Sequence, residues 1–144
     1  MVYGDIMKIL IIDAQGGGIG RQLVSAIKER FPNYLITAVG TNSAATAAMI
    51  KAGADNAATG ENAVVVCCRR SDVIIGALGI VIADSMHGEI TPAMAQAVGQ
   101  SSAKRILIPV SHCDNIVVGV TDISLGKMIE SVLDELSDSY NTIK

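Results

Sequence analysis

The sequence predicts a single three-layer α/β domain, Rossmann-like, with a mainly parallel sheet. Three observations carry this reading. Short β-branched runs alternate with stretches of helical period along the chain. A glycine-rich bend at residues 16–20 joins the first such run to the first helical stretch. The chain has 144 residues, 50% of them hydrophobic and 17% charged, which is enough for one core and too little for a second full-sized domain. Right-handed crossovers leave few topologies. A Rossmann order of strands is the first choice, with a flavodoxin-like order as the alternative.

Each element has its own signal. Residues 8–13 (KILIID) form an apolar, isoleucine-rich run of the kind buried on both faces of a parallel sheet. Ile19, Leu23, Val24, Ile27 and Phe31 then recur at helical spacing until Pro32 stops the helix. Residues 34–39 (YLITAV) read as the second strand, and Gly40, Thr41 and Asn42 as its turn. Ser43 is an N-cap candidate for a helix over 44–52, which Gly53 ends. Residues 55–58 read as a short third strand. Thr59 would cap a helix over 61–70, with Glu61 in the first turn where the helix dipole favours it. The run Val64-Val65-Val66 suits a strand as well, but helix is preferred. Residues 72–77 (DVIIGA) are the fourth strand. Thr91-Pro92 pairs an N-cap with the residue best suited to the first helical position, opening a helix that runs to about Gln100. Residues 105–110 (RILIPV) and 116–120 (IVVGV) read as fifth and sixth strands. Leu125, Met128, Ile129, Val132, Leu133 and Leu136 form one apolar stripe on a final helix. Met7-Lys8-Ile9 resembles a natural start, so residues 1–6 are expected to be an N-terminal extension.

Composition excludes several classes of partner. Lys and Arg number 11 against 14 Asp and Glu, giving a net charge of −3, which argues against a nucleic-acid partner. Only Tyr3, Phe31, Tyr34 and Tyr140 are aromatic, so no base-stacking platform is visible. The mean hydropathy is +0.45. Yet the longest uncharged run, residues 73–83 between Asp72 and Asp84, is too short to span a bilayer, so no membrane partner is expected. The apolar stretch at 9–12 runs into Asp13 and the glycine bend and is no export signal, so the cytoplasm is the expected compartment. Cys67, Cys68 and Cys113 are odd in number and lack zinc-ligand spacing. They read as reduced thiols, and no metal site is expected.

Polar groups concentrate in the segments that leave strands, where ligands of open parallel sheets bind. The main motif is Asp13-Ala14-Gln15-Gly16-Gly17-Gly18-Ile19-Gly20. It departs from G-x-G-x-x-G, because Arg21 stands where the third glycine would fall. It comes closer to the T-G-x-x-x-G-I-G loop of short-chain dehydrogenases. Gly16, Gly17, Gly18 and Gly20 are therefore candidates to hold a phosphate on backbone amides at a helix N-terminus. The second strand ends in Thr41, Asn42 and Ser43, with neither the acid that commonly binds a ribose nor an Arg for a 2′-phosphate. These three are candidate ribose contacts, for NAD or NADP alike. Thr59 and Glu61 open a second helix facing the same edge and could orient a ligand hydroxyl or amine. His87 and Glu89 are the candidates for proton transfer. His112 and Cys113 follow the fifth strand as a weaker nucleophile pair. Tyr140 and Lys144 spell the short-chain dehydrogenase pair Y-x-x-x-K, but at the end of the chain, where chance accounts for it.

With these motifs placed, the chain resembles a small bacterial family known as a domain of unknown function. The resemblance runs from Lys8 to about Leu136. It rests on KILIIDAQGGGIG, GTNSAATAAMIKAGADNAATGENA, HGEITPAMA and KRILIPV. Ala14 stands where that family usually has Gly. The resemblance implies a Rossmann-like fold and no particular activity.

Two functional expectations follow. One is a nucleotide- or dinucleotide-binding protein, with an NAD(P)-linked enzyme as its catalytic form, although the nucleotide fold leaves no chain for a substrate domain. The other is a non-catalytic oligomeric sensor or binding module for a phosphorylated metabolite. The expected partners are a phosphate-bearing small molecule and further copies of the chain, because helix 44–52 carries almost no polar face.

Overall fold

The computed structural model describes residues 6–110 and 114–143. The strands are β1 (Lys8–Asp13), β2 (Leu35–Gly40), β3 (Asn56–Thr59), β4 (Val73–Ala77) and β5 (Lys104–Ile108). The helices are α1 (Gly18–Arg30), α2 (Ser43–Lys51), α3 (Glu61–Cys68), α4 (Pro92–Gln100) and α5 (Leu125–Ile143). A single 3-10 turn, Leu78–Val81, follows β4. The strands lie in the order β3-β2-β1-β4-β5, and every pairing is parallel. This is the Rossmann order, with the chain reversing direction across the sheet beside β1.

β1 shows why its sequence is apolar on both sides. Ile9 and Ile11 enter one core with Leu23, Val24 and Ile27 of α1, Met49 of α2, and Met128, Ile129, Val132 and Leu136 of α5. Leu10 and Ile12 enter the other, with Val64 of α3 and Met94, Ala95 and Val98 of α4. The period of two along a strand thus feeds two cores, one per face of the sheet. At the amino edge, Lys28 pairs with Asp55 at 2.5 Å, and Asp55 also accepts from the Ile36 amide at 2.8 Å. Those bonds tie the end of α1 to the starts of β2 and β3.

Residues 64–66 are helical, as preferred. Three other expectations change. Asn42, not Ser43, caps α2: its Oδ1 accepts from the Ala45 amide at 2.9 Å. Gly60, not Thr59, stands at the N-cap of α3. The Thr59 hydroxyl instead bonds that of Thr46 at 2.7 Å and braces β3 on α2. Residues 116–120 form no sixth strand. Gly119 at φ 86 bends the run, the Val120 amide reaches back to the Val117 carbonyl, and Ile116 and Val118 stand 90% and 93% exposed. No helix among the described residues is long and apolar enough to cross a membrane.

Candidate functional site

The carboxyl ends of β1 and β2 and the segment before α4 meet at one point on the sheet edge. β1 ends at Asp13, which is buried. One of its carboxylate oxygens accepts from the Ala14 amide at 2.8 Å and the other from the Gly20 amide at 2.5 Å. Asp13 therefore satisfies an amide of the first turn of α1 and sits where the helix dipole favours an anion. Burial raises its pKa, the two amides pull the other way, and the charge of Glu89 adds to the rise.

The bend turns through left-handed conformations at Gln15 (φ 53) and Gly17 (φ 75), not at Ala14. Its glycines then divide into two kinds. A Cβ on Gly17 would lie 2.9 Å from Ala45 Cα, and one on Gly20 would lie 2.6 Å from Met49 Sδ and 2.8 Å from Asp13 Oδ2. These two glycines let α1 approach α2 and β1. A Cβ on Gly16 or Gly18 would meet nothing within 4 Å, and both residues are exposed. The fold does not require these two. The amides of Gly16, Gly18 and Ile19 have no protein partner among the described residues.

Glu89 faces the bend from the other side. Its Oε1 accepts from the Gln15 amide at 3.0 Å, the Thr41 hydroxyl at 2.8 Å and the Asn42 side-chain amide at 2.8 Å. The segment that delivers it is tightly coiled, with positive φ at Asp84, Met86, His87 and Gly88. Buried Ser85, Met86 and Ile90 anchor it; the Ser85 hydroxyl donates to the Gly79 carbonyl. Burial tends to raise the Glu89 pKa. The three hydrogen bonds and the charge of His87 outweigh that and hold it below the usual value. Glu89 is thus an ionised hydrogen-bond acceptor at neutral pH.

The structure gathers Gly16, Gly17, Gly18, Gly20, Thr41, Asn42 and Glu89 around this point. His87 lies exposed on the same coil as Glu89 and makes no hydrogen bond among the described residues. Ser43 is exposed at the start of α2. Thr59 is engaged with Thr46, and Glu61 accepts from the Thr91 hydroxyl at 2.9 Å, joining the starts of α3 and α4. His112, Cys113 and Lys144 lie outside the described residues. Tyr140 sits near Tyr34, with ring centroids 6.2 Å apart, far from the bend at the opposite edge of the sheet. Cys67 and Cys68 are free thiols; burial raises both pKa values, that of Cys68 to about 11, so neither is an activated nucleophile.

Sequence reasoning did not single out two participants, Asp13 and Gln15, or the contacts that Glu89 makes. Asp13 as the internal anion was signalled by an acid standing between strand and helix. Gln15 carried no signal of its own. The meeting of Glu89 with Asn42 at the end of β2 spans 47 positions of sequence, that with Gln15 spans 74, and neither has a local signature. Two grooves stand out elsewhere. One, of about 600 Å³, is lined by Cys68, Arg69, Gln96, Gln100 and Ser101 at the far ends of α3 and α4. The other, of about 190 Å³, lies between β5 and α5. Neither is lined by the bend.

Comparison with known proteins adds one finding. No curated protein matches the chain. A family model covers residues 8–141, nearly all of the two cores and the whole glycine bend. The chain therefore belongs to the family described as a domain of unknown function, DUF3842.

Proposed function

We propose that this protein binds a nucleotide or dinucleotide in the cytoplasm, with phosphate over Gly16 and Gly18 and ribose against Glu89. One observation carries the reading. Packing explains Gly17 and Gly20, whereas Gly16 and Gly18 bare their backbone to solvent with nothing in the fold to require it. A bare amide row at a helix N-terminus is suited to a phosphate. Asp13 occupies only the Gly20 amide, so the Gly16, Gly18 and Ile19 amides stay available.

The ribose end follows from charge. β2 lacks its own acid, and Glu89 brings a carboxylate to that place, held by Thr41 and Asn42. A carboxylate accepts hydrogen bonds from a ribose diol and repels a 2′-phosphate. The reading thus favours NAD-like ligands over NADP. It also favours binding without turnover: Glu89 is held ionised and His87 points to solvent, which leaves the pair without a relay for proton transfer. A sensor or binding module is accordingly preferred to an oxidoreductase.

Calorimetric titration with NAD, ADP-ribose and NADP tests this. Saturable binding of the first two, weaker binding of NADP, and loss of binding in Gly18→Val with an unchanged circular dichroism spectrum are expected. Equal binding by Gly18→Val, or no heat from any of the three at millimolar concentration, would refute it.

A further inference from the structure

A run of exposed apolar residues in a folded chain asks what covers it. Residues 114–124 leave the sheet as an arm. Ile116 and Val118 are 90% and 93% exposed, and Val120 and Ile123 are also exposed. The same chain offers a matching acceptor. β5 is an edge strand, paired only with β4. Its outer side borders the apolar groove lined by Ile106, Ile108, Pro109 and Met128. An uncovered strand edge of this kind pairs readily with another strand.

The charges match as well as the apolar groups. β5 opens with Lys104, and the arm carries Asp122 two residues beyond Val120. Laid antiparallel, Asp122 faces Lys104, Val120 faces Ile106, Val118 faces Ile108 and Ile116 faces Val110. Opposite charges and apolar pairs across two strands both stabilise pairing.

Ile123 of the same chain also lines this groove, but residues 116–122 cannot lie along β5 of their own chain in this register. Arg30, at the end of α1, bonds Asp134, and Tyr34, just before β2, stacks on Tyr140. The later half of α5 therefore lies at the amino edge of the sheet, and its start lies about 14 Å higher, at the carboxyl edge. Asp122 beside Lys104 would stand at the amino edge, about 13 Å below Ile108. The three steps from Asp122 to Leu125 span at most about 11 Å. Parallel addition needs a crossover of about a dozen residues or more, and too few separate Ile108 from the arm.

We propose that residues 116–122 of one copy, opening the turn at Gly119 as they extend, add as an antiparallel strand to β5 of a second copy, each chain giving and receiving one strand about a twofold axis. One such contact is small. Reciprocal exchange about the axis doubles the surface that one strand buries. The inference is independent of nucleotide binding.

Sedimentation equilibrium at micromolar concentration tests it. The protein is expected to be a dimer. Val118→Asp is expected to raise the dimer dissociation constant about a hundredfold or more, with unchanged helical circular dichroism. Ile50→Glu, on the exposed side of α2, is expected to leave the dimer intact. Lys104→Glu should weaken it, and Lys104→Glu with Asp122→Lys should restore it. A monomeric protein, a Val118→Asp variant that dimerises normally, or dissociation by Ile50→Glu alone would overturn the proposal.

Discussion

Alanine at Gly17 and alanine at Gly18 should move stability in opposite directions, although the two residues are neighbours. At Gly17 the backbone is left-handed (φ 75), and the new Cβ would sit 2.9 Å from Ala45 Cα and 3.0 Å from Ala45 O. The left-handed conformation costs an alanine about 1 kcal/mol. The clash is with backbone and cannot be relieved by a rotamer change, so overpacking adds about 1–3 kcal/mol. A loss of about 3 kcal/mol should lower Tm by about 6–12 °C in a chain of this size. At Gly18 the φ is ordinary and the new Cβ meets nothing within 4 Å. Restricting the unfolded chain should then add about 0.4–1 kcal/mol and raise Tm by about 1–4 °C. Differential scanning calorimetry of both variants without ligand measures the contrast. A Gly17→Ala protein within 1 °C (about 0.3 kcal/mol) of the parent, or a Gly18→Ala protein as damaged as Gly17→Ala, would refute the division of the glycines.

Other variants test separate joints. Asp55 has its pKa raised by burial but lowered by more through the Ile36 amide and Lys28, so its net shift is downward. Its stabilising effect is therefore complete above the ordinary carboxylate pKa and is lost as pH falls through the lower folded value; Asp55→Asn should flatten the acid limb of a Tm-against-pH curve, and an unchanged limb would count against the tie. Glu89 is shifted the same way, so Glu89→Gln should also lose acid-side dependence, while its Tm at pH 7 falls. Thr91→Ala removes the cap on the Met94 amide and the bond to Glu61, and should cost about 1 kcal/mol by urea unfolding. A midpoint unchanged within error would show that Pro92 alone holds that start.

The architecture was legible because its signals are local. The continuous apolar run of β1, the helical period of α1 and α5, and the Thr91-Pro92 start all act within a few residues. Errors fell where two neighbours competed for one role: Asn42 and Ser43 both suit an N-cap, and only the distance to the Ala45 amide decides. The run at 116–120 has strand composition, yet α5 starts too high on the sheet for it to reach β5 of its own chain. The glycine bend was visible as a motif. Which glycines serve packing was not, because Ala45 and Met49 come from another helix. The arrival of Glu89 at the end of β2, where it accepts from Thr41 and Asn42, is a tertiary fact.

The vacant amides can be watched directly. In a ¹H–¹⁵N NMR titration with ADP-ribose, the Gly16, Gly18 and Ile19 resonances should move saturably and together, with Thr41 and Asn42 following. Resonances that stay still at millimolar ligand, or that move only in the groove between α3 and α4, would contradict binding at the bend.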